Sequence, residues 1–169
     1  GYSGSRSDSL YQYLRSKGYS DDLMKASGLV TYKEDRGPHD RFWNRAMFPI
    51  MDPRRHVIAF GGRVMGTPGE HTPKYLNSPE TEIFNKRKTL YGMHIARGTR
   101  RKEFILCEGY MDVISMHQAG FDNTVASLGT ALTAENVEVL KNYRKPVLLS
   151  YDSDHAGIDA TLKAIRLFK

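Results

Sequence analysis

Two short apolar runs that end abruptly in carboxylates constrain this sequence more than any other feature. Residues 104–107 are followed directly by Glu108, and residues 147–150 are followed, after one tyrosine, by Asp152 and Asp154. Buried parallel strands are typically continuous apolar stretches, and in open α/β sheets ligands bind beyond the carboxyl ends of the strands. Because carboxylates crowded at one sheet edge repel each other, a hard cation such as Mg²⁺ is their expected occupant. The sequence therefore predicts a metal-binding cluster of these three acids.

The segments around these runs alternate between helical and strand patterns. Residues 113–120 have helical spacing, residues 124–129 form another apolar run, and residues 133–142 have helical spacing again. Thr133 is the expected N-cap of the latter helix, with Asn136 at the reciprocal position. A helix rich in Ala, Leu and Ile follows the last acid. The β-α-β-α-β-α order predicts an α/β fold with a parallel sheet and right-handed crossovers.

The N-terminal part of the sequence has a different, α+β pattern. Two short helices are expected between residues 10 and 28, with Gly18 separating them. A hairpin with strands at 47–51 and 56–60 follows, since the residues between them have turn chemistry. Residues 67–79 contain one glycine and three prolines and are interpreted as a surface loop. That loop carries Lys74, Tyr75 and Asn77. Their cation, aromatic face and amide could together contact one nucleotide.

The net charge of +6 hides an asymmetry along the chain. Residues 1–102 contain 19 Lys and Arg against 10 Asp and Glu, whereas residues 103–169 contain 6 against 9. A basic module can bind a polyphosphate or nucleic-acid backbone, and an acidic neighbour can hold a catalytic metal. We therefore expect two domains, 1–102 and 103–169, with the boundary in the basic stretch 97–102.

Several classes of protein are disfavoured by composition. No stretch approaches the ~20 apolar residues that a membrane helix needs, and no signal-peptide pattern opens the sequence, so no membrane partner is expected. The single Cys107 cannot form a disulfide within the chain and is expected to be a buried hydrophobe. No zinc site is expected, since no metal-ligand spacing relates the histidines at positions 39, 56, 71, 94 and 117.

Six motifs in this sequence resemble, in order, those of one family. Glu108-Gly109-Tyr110-Met111-Asp112 after one strand and Asp-x-Asp after another resemble the signature of the TOPRIM domain, in the form found in bacterial DnaG-type primases. The other segments that resemble motifs of this family are residues 45–50, 60–63, 73–81, 126–130 and 151–157. The resemblance covers nearly the whole chain, and six ordered motifs make a chance match improbable.

The resemblance implies a reaction and roles for particular residues. The reaction is the DNA-templated condensation of ribonucleoside triphosphates into a short RNA primer, with Mg²⁺ or Mn²⁺ as cofactor. Asp152 and Asp154 would be metal ligands, and Glu108 a further ligand or the proton-handling group. Gly109 and Asp112 would support the site, although Asp112 is equally suited to cap the following helix. Contacts to nucleotides and nucleic acid would come from Arg41, Arg45, Arg63, Lys74, Tyr75 and Asn77.

The resemblance also implies partners and a cellular setting. The partners would be a single-stranded DNA template, ribonucleoside triphosphates, the RNA primer and, through a domain outside this chain, the replicative helicase. The zinc-binding domain of the family would likewise lie outside this chain, and the location would be the cytoplasm, with the replication machinery. We expect a fragment of a catalytic core with a C-terminally incomplete TOPRIM fold, weakly active or inactive alone. Trp43 stands where many relatives carry another arginine.

Three other functions share some of these features. A TOPRIM nuclease or topoisomerase would carry the same acids, but residues 73–81 favour a primase. A phosphatase of the Asp-x-Asp type usually carries that motif after its first strand, whereas here it follows the third. A nucleic-acid-binding module without activity would use the basic part and leave the acids without a purpose.

Overall fold

The computed structural model describes residues 1–33, 37–69, 72–129 and 131–169. The chain divides into two compact units. The first comprises Gly1–Ile50 and Ile58–Phe84, and the second comprises Met51–Val57 and Asn85–Lys169. Within the described ranges, no helix is both long enough and apolar enough to cross a lipid bilayer.

The first unit begins with two short helices, α1 (Ser9–Ser16) and α2 (Asp21–Ala26). Between them Gly18 adopts a φ of 85°, a left-handed conformation that glycine reaches without a Cβ clash. The Ser20 hydroxyl caps α2 by accepting a hydrogen bond from the Leu23 N–H. The prediction of two helices separated by Gly18 is therefore confirmed.

A hairpin of two strands, β1 (Val30–Lys33) and β2 (Gly37–Asp40), follows and was not expected from the sequence. Asp40, at the end of β2, is 1% exposed. Its carboxylate accepts hydrogen bonds of 2.8 Å from the N–H groups of Leu10 and Tyr11, two of the orphan donors at the start of α1. The cap of α1 thus comes from a residue about thirty positions away in the chain.

Three further strands form a sheet in the order β3-β4-β5: β3 (Arg45–Met51), β4 (Val57–Val64) and β5 (Tyr75–Asn77). The predicted β3-β4 hairpin is confirmed, and its turn is fixed by the Asp52 carboxylate, which accepts from the His56 N–H at 2.9 Å. The interpretation of residues 67–79 as a loop throughout is wrong, because β5 pairs antiparallel with β4. Three residues are too few to show a strand period. Glu70 and His71 of this segment lie outside the described residues.

The second unit contains the predicted parallel sheet, in the order β7-β6-β8. Its central strand is buried except for the partly exposed Ile105, and one neighbouring strand is buried throughout, with Phe104, Leu106 and Val125 at 0% exposure. Continuous burial explains why these strands are unbroken apolar runs. The elements in chain order are α3 (Met93–Ala96), β6 (Phe104–Cys107), α4 (Tyr110–Gln118), β7 (Thr124–Ala126), α5 (Ala134–Lys141), β8 (Val147–Ser150) and α6 (His155–Phe168).

The start of α5 is fixed by reciprocal hydrogen bonds. The Thr133 hydroxyl accepts from the Asn136 N–H at 3.1 Å, and the Asn136 side-chain oxygen accepts from the Thr133 N–H at 3.4 Å. Asn136 therefore performs the role that Glu or Gln has in the usual capping box. The predicted cap is confirmed, while Thr130 of the preceding motif lies outside the described residues.

Candidate active site

The carboxyl ends of β6 and β8 bring Glu108 and Asp152 together. The two strands are parallel neighbours with Cys107 opposite Ser150, so the residues that follow them emerge at the same edge. One Glu108 carboxylate oxygen accepts a hydrogen bond of 2.9 Å from the Asp152 backbone N–H. Both acidic residues are exposed. The structure thus places two of the three predicted acids side by side at the edge of the sheet.

Asp154, the third acid, lies at the N-terminus of α6. Its Oδ1 atom accepts from the Gly157 N–H at 2.8 Å, which makes it the N-cap of that helix. One carboxylate oxygen is therefore already used within the fold. Across the described ranges, no three His, Cys, Asp or Glu side chains lie close enough together to hold a metal ion.

Gly157 is a positioning residue to which sequence reasoning assigned no role. A Cβ atom at this position would overlap the Asp152 carbonyl group and lie 2.8 Å from Glu108 Oε1. The first turn of α6 thus packs directly against Glu108 and Asp152 at the sheet edge. A glycine inside the first turn of an alanine-rich helix was the available signal, because glycine there normally costs stability.

Gly109 and Asp112 fix the start of α4. The Asp112 carboxylate accepts from the Gly109 N–H at 3.0 Å, so the side chain reaches back to the residue before the helix. An acidic side chain in the first turn also interacts favourably with the helix dipole. Of the two roles considered for Asp112, the structure shows the helix cap.

Two further ionisable groups border the acids, and neither is charged near neutral pH. Burial, reinforced by Glu108 and Cys107, raises the pKa of Tyr151 to about 12. Burial, reinforced by Asp112, raises the pKa of the Cys107 thiol to about 11, and Cys107 is 2% exposed. The expectation of a buried cysteine is confirmed.

A cleft of about 780 Å³ opens beside Glu108, between α6 and the segment that follows β7. Its walls are largely apolar, and the small side chains of Ala156, Ala160 and Ala164 line it along α6. Lys163 also lines the cleft, together with Arg166. The volume falls within the range of small-molecule sites, so a ligand of nucleotide size could approach the Glu108 carboxylate from this side.

In the first unit, the β4-β5 pair brings together four of the predicted nucleic-acid contacts. Arg63 lies directly opposite Tyr75 in the antiparallel register, and Asn77 lies on the same face two residues along β5. The Lys74 ammonium lies 5.8 Å from the centre of the Tyr75 ring. Because Arg63, Lys74 and Tyr75 are exposed, they present two cations and an aromatic face to solvent.

Arg41 and Arg45 bind backbone carbonyl groups of their own unit. Arg41 donates through Nε and Nη2 to the Asn77 carbonyl at 3.2 and 2.9 Å, and partial burial lowers the pKa of its guanidinium. Arg45 is 4% exposed, and its Nη1 donates to the carbonyls of Gly62 and Pro73 at 3.2 and 3.0 Å. These two cations therefore support the strands beside the exposed platform, and their contact with phosphate stays a prediction.

Gly62 is required by packing rather than by an open approach for phosphate. A Cβ atom there would lie 2.9 Å from the Phe42 ring and 3.0 Å from Arg45 Cδ. The space above Gly62 is therefore filled by protein, which leaves no room there for a ligand.

Two family models match almost the whole chain. Residues 1–97 match the model described as "DNA primase catalytic core, N-terminal domain", and residues 105–169 match the model described as "Toprim-like". The first match alone covers more than half of the chain. A Toprim-like domain in a primase is generally metal-binding.

Curated relatives agree with these matches. The DNA primase of Enterococcus faecalis is 44% identical over 174 residues, covering 100% of this chain and 28% of the relative. The DNA primase of Escherichia coli is 46% identical over 145 residues, covering 85% of this chain and 24% of the relative. The chain thus spans about a quarter of the length of the curated relatives it matches.

Solved structures share the fold over nearly all of the chain. A DNA primase domain from Pseudomonas aeruginosa matches with a TM-score of 0.86 and 41% identity, covering 99% of this chain and 52% of that one. The RNA polymerase domain of the Mycobacterium tuberculosis primase DnaG matches with a TM-score of 0.87 and 33% identity, covering 98% and 56%. Sequence, family models and fold agree, and this chain belongs to the family of DNA primase catalytic cores.

Proposed function

We propose that this chain forms part of a catalytic core that synthesises short RNA primers on a DNA template for replication. The observation that carries the proposal is the pairing of Glu108 with Asp152 at the carboxyl edge of a Toprim-like sheet, with Asp154 two residues further on. The reaction joins a 3′-hydroxyl to the α-phosphate of a ribonucleoside triphosphate and releases pyrophosphate.

Glu108, Asp152 and Asp154 would hold Mg²⁺ or Mn²⁺, although their side chains do not form a three-ligand cluster among the described residues. Their oxygen-only donor set is the one that hard divalent cations prefer, and all three residues are exposed at the sheet edge. A bound divalent ion would supply charge neutralisation for the triphosphate and activation of the attacking hydroxyl. Asp154 still has a second carboxylate oxygen beyond the one that caps α6. Gly109 and Asp112 would support this site by fixing the start of α4 directly after Glu108.

The exposed platform of the first unit would hold the nucleotide and the nucleic acid. Arg63 and Lys74 would bind phosphate, and Tyr75 and Asn77 would orient a base by stacking and hydrogen bonding. Arg41 and Arg45 would contribute by fixing the Asn77 and Gly62 backbone beside this platform, and their direct contact with phosphate is part of the proposal.

The proposed partners follow from the relatives. One structural relative is described as a DnaG primase catalytic domain bound to single-stranded DNA, and another as a primase domain in complex with a double-stranded DNA oligomer with a 6-nucleotide overhang. We extend DNA binding to this chain, with ribonucleoside triphosphates and the RNA primer as further ligands. A replicative helicase would bind through a domain outside this chain, and the setting would be the cytoplasm. The proposed functional division is 1–102 and 103–169, supported by the gap between the two family-model matches.

The test is an Asp152→Asn substitution in the chain extended by the flanking regions of its relatives. Removing one carboxylate charge at nearly unchanged shape should lower primer synthesis by orders of magnitude. Affinity for single-stranded DNA should hold or rise slightly, because a repulsive charge is lost. Asp22→Asn, an exposed acid in the first unit, is the matched control and should leave synthesis unchanged. Near-normal synthesis by Asp152→Asn would show that these acids are not the catalytic centre.

Lys74→Ala in the same extended chain should have the complementary effect. Use of ribonucleoside triphosphates should weaken, while stabilisation of the fold by millimolar Mg²⁺ stays as in the parent protein. If Lys74→Ala instead abolishes that stabilisation and leaves nucleotide use intact, the two roles are assigned to the wrong units.

A further inference from the structure

The excess positive charge of this protein lies on the second unit, not the first. The first unit contains ten Lys and Arg against nine Asp and Glu, and the second contains fifteen against ten. Residues 85–102 account for much of the difference, with seven Lys and Arg and no acidic residue. The basic stretch assigned to the N-terminal half by sequence alone thus belongs to the unit that carries the parallel sheet.

Part of this charge gathers at the sheet edge opposite the carboxylates. In a parallel sheet all strands start at the same edge, so the loops before β6, β7 and β8 are neighbours there. We call the cations of these loops the rear surface, defined as Arg100, Arg101, Lys102, Arg144 and Lys145. Adjacent strands are ~4.8 Å apart, so the three loops lie close to one another.

Two members of the rear surface hold the loops in place. Lys145 Nζ donates to the carbonyls of Thr99 and Arg101 at 3.1 and 2.9 Å, which ties the loop before β8 to the loop before β6. Arg101 Nη2 donates to the Gly120 carbonyl at 2.9 Å, which ties in the loop before β7. The three loops therefore form one linked surface.

Two acids border these cations: Glu103, which directly follows Lys102, and Asp122, which is engaged by this scaffold. The Asp122 carboxylate accepts from the Thr99 hydroxyl at 2.6 Å and pairs with Arg101 Nε at 3.7 Å. Arg100, Lys102 and Arg144 are exposed, and in the described part of the chain none of them forms an ion pair. Three cations thus remain to bind a ligand with negative charge.

Two local features favour a nucleic-acid backbone over an acidic protein. Phe121 is 38% exposed with the Arg101 guanidinium 5.0 Å from its ring centre, a pairing of cation and aromatic face typical of surfaces that bind single strands. The cavity of about 510 Å³ beside these residues is lined by glycine, threonine, arginine and aspartate residues. Protein interfaces instead have an apolar centre.

We propose that the rear surface binds the phosphate backbone of a single-stranded nucleic acid, without base selectivity, at the edge of the sheet opposite the carboxylates. Arg100, Lys102 and Arg144 would make the phosphate contacts, and Arg101 and Lys145 would position the loops that carry them. This site is separate from the platform of the first unit and does not depend on the acids or on the proposed reaction.

The test measures the affinity of the 169-residue chain for a fluorescent oligodeoxythymidine over a range of salt concentrations. The triple variant Arg100→Gln, Lys102→Gln, Arg144→Gln should bind at least about tenfold more weakly, with the salt slope reduced by roughly 2, because each phosphate contact contributes ~0.7 for a single strand. The matched control removes three exposed charges from the first unit, as Lys17→Gln, Lys25→Gln, Lys33→Gln, and should keep the parent slope.

A second measurement needs no variant. Bound oligonucleotide should protect Lys102 from acetylation in the parent protein and leave Lys17 reactive. The proposal is overturned if the two triple variants bind alike, if Lys102 stays fully reactive, or if poly-glutamate of equal charge displaces the oligonucleotide as well as unlabelled oligonucleotide does. Loss of primer synthesis through Asp152→Asn bears only on the proposed function, since that substitution should leave rear-surface binding intact.

Discussion

Replacement of Gly157 by alanine should destabilise the second unit, although the same change in an ordinary helix stabilises it. At a solvent-exposed position inside a helix, alanine stabilises the helix by about 1 kcal/mol relative to glycine. At Gly157 the new methyl group overlaps the Asp152 carbonyl, so the first turn of α6 must move away from the sheet edge. That movement breaks the Asp154 cap, worth about 1 kcal/mol, and strains the Glu108 hydrogen bond to Asp152, worth about 2 kcal/mol. These two losses exceed the alanine gain, and the expected net loss is about 2 kcal/mol.

Urea denaturation followed by circular dichroism measures this change in the free energy of unfolding. Gly98→Ala is the matched control, because a Cβ at that position meets only the Ile95 carbonyl at an ordinary 3.7 Å. We expect Gly98→Ala to lie within about 0.5 kcal/mol of the parent protein. A Gly157→Ala variant as stable as the parent, or more stable, would refute the packing of α6 against the carboxylate edge.

Three other outcomes follow from buried groups. Asp40→Ala should lower the free energy of unfolding by about 3 kcal/mol in urea denaturation, because the buried N–H of Tyr11 and the partly buried N–H of Leu10 lose their acceptor. Burial, with Arg55 and His117 nearby, lowers the pKa of His94 in the folded protein, so the unfolded chain binds the proton more tightly. The free energy of unfolding should therefore fall as the pH drops through about 6.5. His94→Gln should flatten that part of the pH profile. The Cys107 thiol, with its pKa raised to about 11, should react with a thiol reagent at pH 8 only after denaturation; rapid labelling of the folded protein would contradict its burial.

The parallel sheet could be predicted because its central strand and one neighbour are largely buried, although the edge strand at residues 147–150 leaves Leu148 53% exposed. Continuous apolar runs such as residues 104–107 are distinctive, and the turn chemistry between them separates strands from helices. Thr133 could be identified as a helix cap because its hydrogen-bond partner Asn136 is only three residues away in the sequence. Features determined by neighbours along the chain were therefore accessible to sequence reasoning.

Features determined by distant contacts were not accessible. The β1-β2 hairpin consists of two four-residue strands with mixed polarity, and β5 has three residues, so neither shows a strand period. Asp40 caps a helix that begins about thirty residues earlier, a pairing that no local spacing encodes. The resemblance implied that Arg45 contacts nucleotides or nucleic acid, and no local pattern showed that its guanidinium is enclosed among backbone carbonyls.

The distribution of charge between the two units is also determined by the fold and could not be predicted from the order of residues along the chain. A count along the sequence separates a basic first part from an acidic second part, which suggests that nucleic acid and metal occupy different domains. In the fold, the cations of residues 85–102 join the unit that carries Glu108 and Asp152, because the segment before β6 packs at the start of the parallel sheet. One sheet then presents acids at one edge and free cations at the other. The acids that would hold metal and the cations that would hold backbone phosphate are therefore separated by the length of a strand. At that distance neither set of charges neutralises the other.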